Sequence, residues 1–437
     1  MSKKRVLIIT YYWPPSAGVG VQRWMHFALN LVKEGYEPIV FTPSNPQFDL
    51  TDQGLCDKVA SIETITAPIW EPFNFFHNVT GGRNKQNVKQ GLVLEKSKKS
   101  LLDSMIIWGR GNLFLPDPRV FWVNSSVKKL QKIIIQRDVD TIITTGPPHS
   151  VHLIGLKLKK LHSFVRWFAD FRDPWSDWDV LDKLKVGRLA RSYHQKMERK
   201  VLQNADQVIT VSNRLASELA LKAVTKKPIE VIANGISDHR TNINHQTSNT
   251  SNKFVVGYFG MLNELRDPSS FWDVLESLCK SHPDFHDALE IRIGGIVSQS
   301  IRERLEQNDI LKSKVRFLGY LTHEEVFKEY ANCSLLLLLL NKSSNAKWIL
   351  PMKFFEYLTV AKPILALGPL DSDLAEIMEG KSIGRILEFD QQSEMRSFLL
   401  SIFSNTHQLN QEDYIGLLKA FSRSQQTKEL TRLLDKK

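Results

Sequence analysis

Short apolar runs recur along this chain, separated by stretches with helical spacing. Residues 5–10 (Arg-Val-Leu-Ile-Ile-Thr) are a continuous run of strand length, as expected of a strand buried on both faces in a parallel sheet. A loop with Pro14, Pro15, Gly18 and Gly20 follows. Residues 21–33 then carry Trp24, Phe27, Ala28, Leu31 and Val32 at helical spacing, closed by Gly35. Residues 38–42 read as the next strand. Residues 141–145, 166–170 and 207–211 are further short strands with helical stretches between them, and 230–233 closes the series. Such alternation predicts an α/β domain built on a doubly wound parallel sheet.

The composition then changes. Residues 239–252 (HRTNINHQTSNTSN) are polar and without period, which reads as a linker or an exposed loop. A second strand series begins at 254–259 and continues through 289–293, 315–318, 335–340 and 364–367. Thr322-His-Glu-Glu325 is a capping box that opens the helix before Leu335. The last thirty-odd residues are amphipathic helix with no strand signal. The expected organisation is a domain at 1–236, a polar linker at 237–252, a domain at 253–405 and terminal helices at 406–437. Two such halves would form a cleft, with ligands beyond the carboxyl ends of the strands.

Length agrees with this division: 437 residues exceed the roughly 250–300 at which single cores stop growing. The net charge of +11 and pI near 9.3 favour an anionic partner; nucleic acid, acidic lipid and a nucleotide-type substrate all qualify. Cys56, Cys279 and Cys333 lie far apart, with neither metal-type spacing nor a disulfide framework. The N-terminal apolar run is too short for a secretory signal, and 335–340 is far below the length of a membrane span. A cytoplasmic protein is expected, able to lie peripherally on the inner face of the plasma membrane.

The candidate chemistry sits just past predicted strands. Gly18 and Gly20 can let backbone N–H groups approach a phosphate or sugar beside a helix N-terminus, or form a plain tight turn. Their pattern is not the dinucleotide fingerprint. His149 follows Gly146-Pro-Pro and can donate to or accept from a ligand oxygen, or be a satisfied structural group. In Asp170-Phe-Arg172-Asp173-Pro-Trp175, Arg172 can form an ion pair that merely fixes the loop, or can also orient Asp170 or Asp173, one of which would face the ligand. Pro351 suits a first helical position, with Lys353 and Glu356 on one face of the following turn. Lys353 there strengthens a positive potential suited to a diphosphate, and Glu356 can accept two hydrogen bonds from a ribose diol; the plain alternative is a salt bridge between them. Arg266, after the strand 254–259, can grip phosphate oxygens in a fork. Asn234-Gly235 closes the first half at a turn.

The ordered set Tyr11-Tyr-Trp-Pro-Pro-Ser-Ala-Gly-Val-Gly-Val-Gln-Arg23, Gly146-Pro-Pro-His149-Ser, Asp170-Phe-Arg-Asp-Pro-Trp175, Val231-Ile-Ala-Asn234-Gly and Lys353-Phe-Phe-Glu356-Tyr resembles the GT-B glycosyltransferases of retaining family 4, in particular a bacterial branch that builds surface polysaccharides. The resemblance covers nearly the whole chain. It implies two Rossmann-like domains, the C-terminal one holding a nucleotide-sugar with Glu356 on the ribose and Lys353 and Arg266 on the diphosphate, so that no metal or other cofactor is needed. It implies an N-terminal domain for the acceptor, with Gly18 and Gly20 near the donor, His149 on the transferred sugar, Arg172, Asp173 and Asn234 among the site residues, and a final helix returning to that domain. Two positions depart from the family pattern. Trp348 stands where many members carry a sugar-contacting glutamate, and Met261 where many carry an arginine.

The expected reaction is hexosyl transfer with retention, from a nucleotide-diphosphate sugar to a glycan or lipid-linked acceptor. The leaving diphosphate would be stabilised by pre-set positive charge. Rival readings are a nucleotide-sugar epimerase of the same fold and a non-catalytic binding subunit of a polysaccharide assembly complex. Nucleic acid is not expected as a partner, since no nucleic-acid fold or stacking motif appears. An anionic membrane surface is a further partner admitted by the basic residues of 183–200 and by the lysine-rich stretch 83–99, followed by Ile106, Ile107, Trp108 and Phe114.

Overall fold

The computed structural model describes residues 4–48, 50–71, 101–224, 227–238 and 253–436. The lysine-rich stretch 83–99 and the polar segment 239–252 lie outside them. The chain divides into two compact units, Met1–Ala233 with Thr427–Lys437, and Asn234–Gln426.

The first unit holds β1 (Lys4–Ile9), β2 (Tyr36–Pro43), β3 (Glu63–Ala67), β4 (Thr141–Gly146), β5 (Arg166–Phe171), β6 (Gln207–Thr210) and β7 (Ile229–Val231). They form one parallel sheet in the order β3-β2-β1-β4-β5-β6-β7. The winding reverses between β1 and β4, where Ile8 sits between Val40 and Ile143. The helix Val19–Lys33 lays Val21, Trp24, Met25, Ala28 and Leu31 on the sheet, against Val6, Ile8, Val40 and Ile143. Leu430, Leu433 and Leu434 of the last helix, Arg423–Asp435, join the same cluster. That helix is fixed at its end by Arg166, which donates to the Leu434 carbonyl (2.9 Å), and by Asp435, which accepts from Tyr36 (2.7 Å).

The second unit holds β8 (Phe254–Phe259), β9 (Leu289–Gly294), β10 (Val315–Gly319), β11 (Leu335–Leu339), β12 (Ile364–Leu367) and β13 (Gly384–Leu387). Its parallel order is β10-β9-β8-β11-β12-β13, with the reversal between β8 and β11. The leucine run shows why the strand must be central. Leu335, Leu337 and Leu339 pack on one face with Phe271, Leu275 and Phe398, whereas Leu336, Leu338 and Leu340 pack on the other with Phe354, Tyr357 and Leu358. Successive side chains of a strand point to opposite faces, so an unbroken apolar run needs cover on both.

Two strands escape the apolar pattern. β3 reads Glu-Thr-Ile-Thr-Ala with alternate exposure, and β13 carries Arg385 at its second position. Both are edge strands, where only one neighbour pairs and polar residues are tolerated. The capping box at Thr322 is formed: its backbone N–H donates to Glu325 Oε2 at 2.7 Å, and its hydroxyl accepts from the Glu325 N–H at 3.4 Å. Pro351 is not the first helical residue. It is extended (ψ 138°) and caps the helix Met352–Leu358.

Leu337→Ala, at the fully buried centre of β11, is expected to destabilise the second unit by about 2–5 kcal/mol, against less than about 0.5 kcal/mol for Ile135→Ala on an exposed face; denaturant unfolding followed separately for the two units measures both.

Candidate functional site

In the second unit the site is built where β8 ends. Gly260 follows β8 with φ +154°, and a Cβ there would lie 2.8 Å from Lys353 Cε. The lysine arm therefore crosses bare backbone. Gly295, just past β9, has φ +107°, and a Cβ on it would lie 2.4 Å from the Gly260 carbonyl oxygen. Glycine at both places lets two strand ends and one lysine share a space that side chains would fill.

Lys353 and Glu356 lie on the first turns of the helix Met352–Leu358. The local salt bridge is not formed: among the described residues Lys353 has no hydrogen bond or ion pair, and Glu356 Oε2 accepts from the Tyr330 hydroxyl at 2.9 Å. Burial pushes the Lys353 ammonium below its usual range; the Glu356 carboxylate opposes this and the Arg266 guanidinium adds to it. Arg266 is held by Asn341, whose Oδ1 accepts from Nε at 2.7 Å. Two cations and an oriented carboxylate thus share one end of the sheet. Tyr330, Asn341 and Gly294-Gly295 were not legible as site residues; only the glycine pair leaves a sequence signal.

Trp348 ends a short 3-10 turn, Ala346–Trp348, between β11 and that helix. The Met261 carbonyl accepts from the Tyr258 hydroxyl at 2.8 Å, within the loop that carries Arg266. Asn234 precedes Gly235 and Ile236, which are tied to the chain near Arg423: the Ile236 N–H donates to Phe421 and the Ile236 carbonyl accepts from Arg423, both at 2.8 Å.

In the first unit Gly18 caps the helix Val19–Lys33 with φ 89° and no side-chain cap. Gly20 lies under the Tyr12 ring, 3.3 Å from where its Cβ would be. Arg172 corrects the sequence expectation, because it orients neither carboxylate. Its guanidinium donates to three backbone carbonyls, Gly146 (3.1 Å), Pro147 (2.7 Å) and Gly20 (2.7 Å), and so pins the glycine loop to the Gly146-Pro-Pro loop. Asp170 is instead satisfied by Arg23 (3.0 and 3.3 Å), Trp24 Nε1 (2.6 Å) and Thr145 (2.9 Å). The strand ends at Phe171, so Arg172 no longer shares the face that Asp170 presents to the first helix. Asp173 is half-buried and has no hydrogen bond or ion pair among the described residues; burial raises its carboxyl above the usual range.

His149 is buried, with 4% exposure. Its ring stacks on Trp175 (5.0 Å, 5°), and neither ring nitrogen makes a well-formed hydrogen bond, with only the Pro174 backbone bearing on the ring as an acceptor. The helix N-terminus behind it is already occupied by a carboxylate, since Asp117 accepts from the Ser150 N–H (2.9 Å) and hydroxyl (2.8 Å). Behind His149 lies a second buried ring, His152. Trp167 Nε1 donates to the Thr144 hydroxyl oxygen (2.9 Å), and the same hydroxyl is hydrogen-bonded to His152 Nδ1 (2.9 Å), so Thr144 links the two rings. Burial keeps these rings neutral. It lowers His149 well below its usual range, with His152, His194 and Arg172 adding to the effect, and takes His152 down to about 3 and His194 to about 4.

Among the described residues no group of three or more His, Cys, Asp and Glu side chains is placed to hold a metal ion.

Two doubly wound parallel units, with two cations and an oriented carboxylate at a strand end of the second, are the arrangement of the GT-B class of nucleotide-sugar enzymes. The comparisons agree. Residues 20–240, just over half of the 437, match Glycosyltransferase Family 4, and the chain belongs to that family. It is therefore a glycosyltransferase working from a nucleotide-sugar donor. Solved structures of similar fold include HepE of Anabaena with UDP and glucose (13% identity, 99% of each chain, TM-score 0.63). The lipopolysaccharide outer core galactosyltransferase WaaB (12%, 98% of this chain and 99% of that one, 0.58) and the lipopolysaccharide glycosyltransferase WaaG (12%, 99% and 100%, 0.57) are also similar. No curated protein sequence matches the chain.

The neutral histidines set an acid limit. Below the unfolded histidine value of 6.5 the unfolded chain takes up protons that the folded rings refuse, so stability falls as pH drops from 6.5 toward about 3 for His152. Each such ring contributes a slope of up to about 1.4 kcal/mol per pH unit. Unfolding of the first unit measured from pH 7 to pH 4.5 should show this loss, and His152→Asn should flatten the slope while lowering stability at pH 7.

Proposed function

We propose that the second unit binds a nucleoside-diphosphate sugar with Glu356 on the ribose diol and Lys353 and Arg266 on the diphosphate, and that the enzyme transfers the hexose with retention to a glycan or lipid-linked acceptor received by the first unit, in bacterial surface polysaccharide synthesis. The observation that carries this is the unpaired Lys353 lying over Gly260 beside a Glu356 already aimed by Tyr330. A half-buried ammonium with no ion pair is under-solvated, and a diphosphate would supply the counter-ion. Held there, two cations stabilise the charge that develops on the leaving diphosphate, in a setting arranged before reaction. The departing phosphate itself then takes the acceptor's proton. Trp348 in place of a sugar-contacting glutamate leaves an aromatic wall beside the donor sugar.

The first unit carries groups suited to an anionic bilayer, which would bring a lipid-linked acceptor within reach. Trp70 and Leu189 are 60% and 90% exposed, and Trp108 and Leu113 are exposed as well. Trp70 meets Phe121 edge-on at 4.7 Å. Asn112 joins this region to Lys185 and Gly187 (3.1 and 2.8 Å), where the helix Arg188–Asn204 begins with Arg188, Lys196, Arg199 and Lys200 exposed. Apolar rings among basic side chains suit a headgroup layer. No helix among the described residues is long and apolar enough to cross a membrane.

Lys353→Ala should lower turnover about 10²–10³-fold, Glu356→Gln should weaken UDP binding about tenfold or more, and Tyr330→Phe, which removes one hydrogen bond, should cost about 0.5–1.5 kcal/mol of that affinity; calorimetric UDP titration together with transfer assays checks all three, and near-normal behaviour of Lys353→Ala and Glu356→Gln would sink the reading. For the surface, vesicles containing phosphatidylglycerol should sediment the protein where pure phosphatidylcholine vesicles do not, and Leu189→Asp with Trp108→Asp should abolish the difference.

A further inference from the structure

A cavity of about 450 Å³ opens in the second unit where β11, β12 and β13 end. It is not the donor group, because Lys353, Glu356 and Arg266 do not line it. It does adjoin that group: Arg266 is held by Asn341, and the next residue, Lys342, lines the cavity while its N–H donates to the Leu265 carbonyl at 2.7 Å. Strand carboxyl ends are where open α/β sheets take ligands, and the volume falls within the range of small-molecule sites. The floor includes Gly368, where a Cβ would lie 2.5 Å from Leu340 Cδ1, so no side chain can close it.

The walls identify the ligand chemistry. Lys342, Glu388, Asp390 and Gln392, all exposed to solvent, surround the space, and among the described residues none of their side-chain polar groups has a hydrogen bond or ion pair. One ammonium and two carboxylates stand around one cavity without pairing, which leaves donors and acceptors both available. The lining is formally −1, which disfavours a second phosphate. The apolar wall is little more than Pro369 and the Phe389 ring, over which Lys342 Nζ sits at 4.7 Å from the centroid. That is too little for an acyl chain. A sugar fits both conditions, because its hydroxyls donate to carboxylates, accept from an ammonium and do both with an amide, while a ring's C–H face lies on an aromatic.

We infer that this cavity is a binding subsite for a neutral saccharide of one or two units, part of the enzyme's glycan substrate. Its role rests on the glycosyl-transfer reading; its ligand chemistry does not. The test uses the full chain saturated with UDP, so that the donor group is filled, and saturation-transfer NMR with glucose, galactose, mannose, N-acetylglucosamine and maltose. At least one sugar should receive saturation, and the signal should fall at least fivefold in both Asp390→Ala and Lys342→Ala, with UDP affinity unchanged. No transfer to any of these sugars, a signal unaltered in both variants, or inorganic pyrophosphate binding at Lys342 in preference to sugar overturns the inference and leaves the donor reading intact. Failure of UDP to bind the wild-type protein would instead strike the donor reading, and the sugar titration of the free protein would still judge the cavity.

Discussion

A parallel sheet buried on both faces confines its polar business to the strand ends. Along β8 every residue pairs with β9, and every residue of β8 and β11 is buried. Where each strand stops, backbone groups lose those partners and must find others, since leaving them buried and unmade is costly. Both units meet this constraint at their carboxyl ends, and they meet it in opposite ways.

The first unit satisfies its strand ends internally. Arg172 consumes three carbonyls, Asp170 is enclosed by Arg23, Trp24 and Thr145, and Asp117 fills the helix terminus at Ser150. The result is a fixed frame in which Asp173 is left unpartnered. The second unit leaves its ends open. Gly260, Gly294 and Gly295 keep side chains out, Lys353 stands without a counter-ion, and only Glu356 is oriented in advance by Tyr330. Unpaired positive charge is unfavourable in the free protein and favourable once an anion arrives, and on the proposed reading that anion is the leaving diphosphate.

The histidines show how position overrides residue type. His149, past a strand in a proline-stiffened loop, lies among aromatic rings, and His152 is linked to Trp167 through the Thr144 hydroxyl. Burial holds both rings neutral.

The apolar runs by themselves determined two doubly wound parallel halves, because a strand covered on both faces has no alternative to continuous hydrophobicity, as in the leucines of β11. They also determined that Lys353 and Glu356 share a helix face, since that is a matter of spacing along one element. The edge strands β3 and β13 escaped because partial exposure erases the pattern. Pairings across elements were decided only by tertiary structure: Arg23 rather than Arg172 on Asp170, Tyr330 on Glu356, Asn341 on Arg266, and the crossing of Lys353 over Gly260. Spacing along a chain fixes which residues share a strand or a turn. Which side chain from a distant element arrives to satisfy a buried charge depends on where the sheet places each strand end, and the linear pattern carries no record of that.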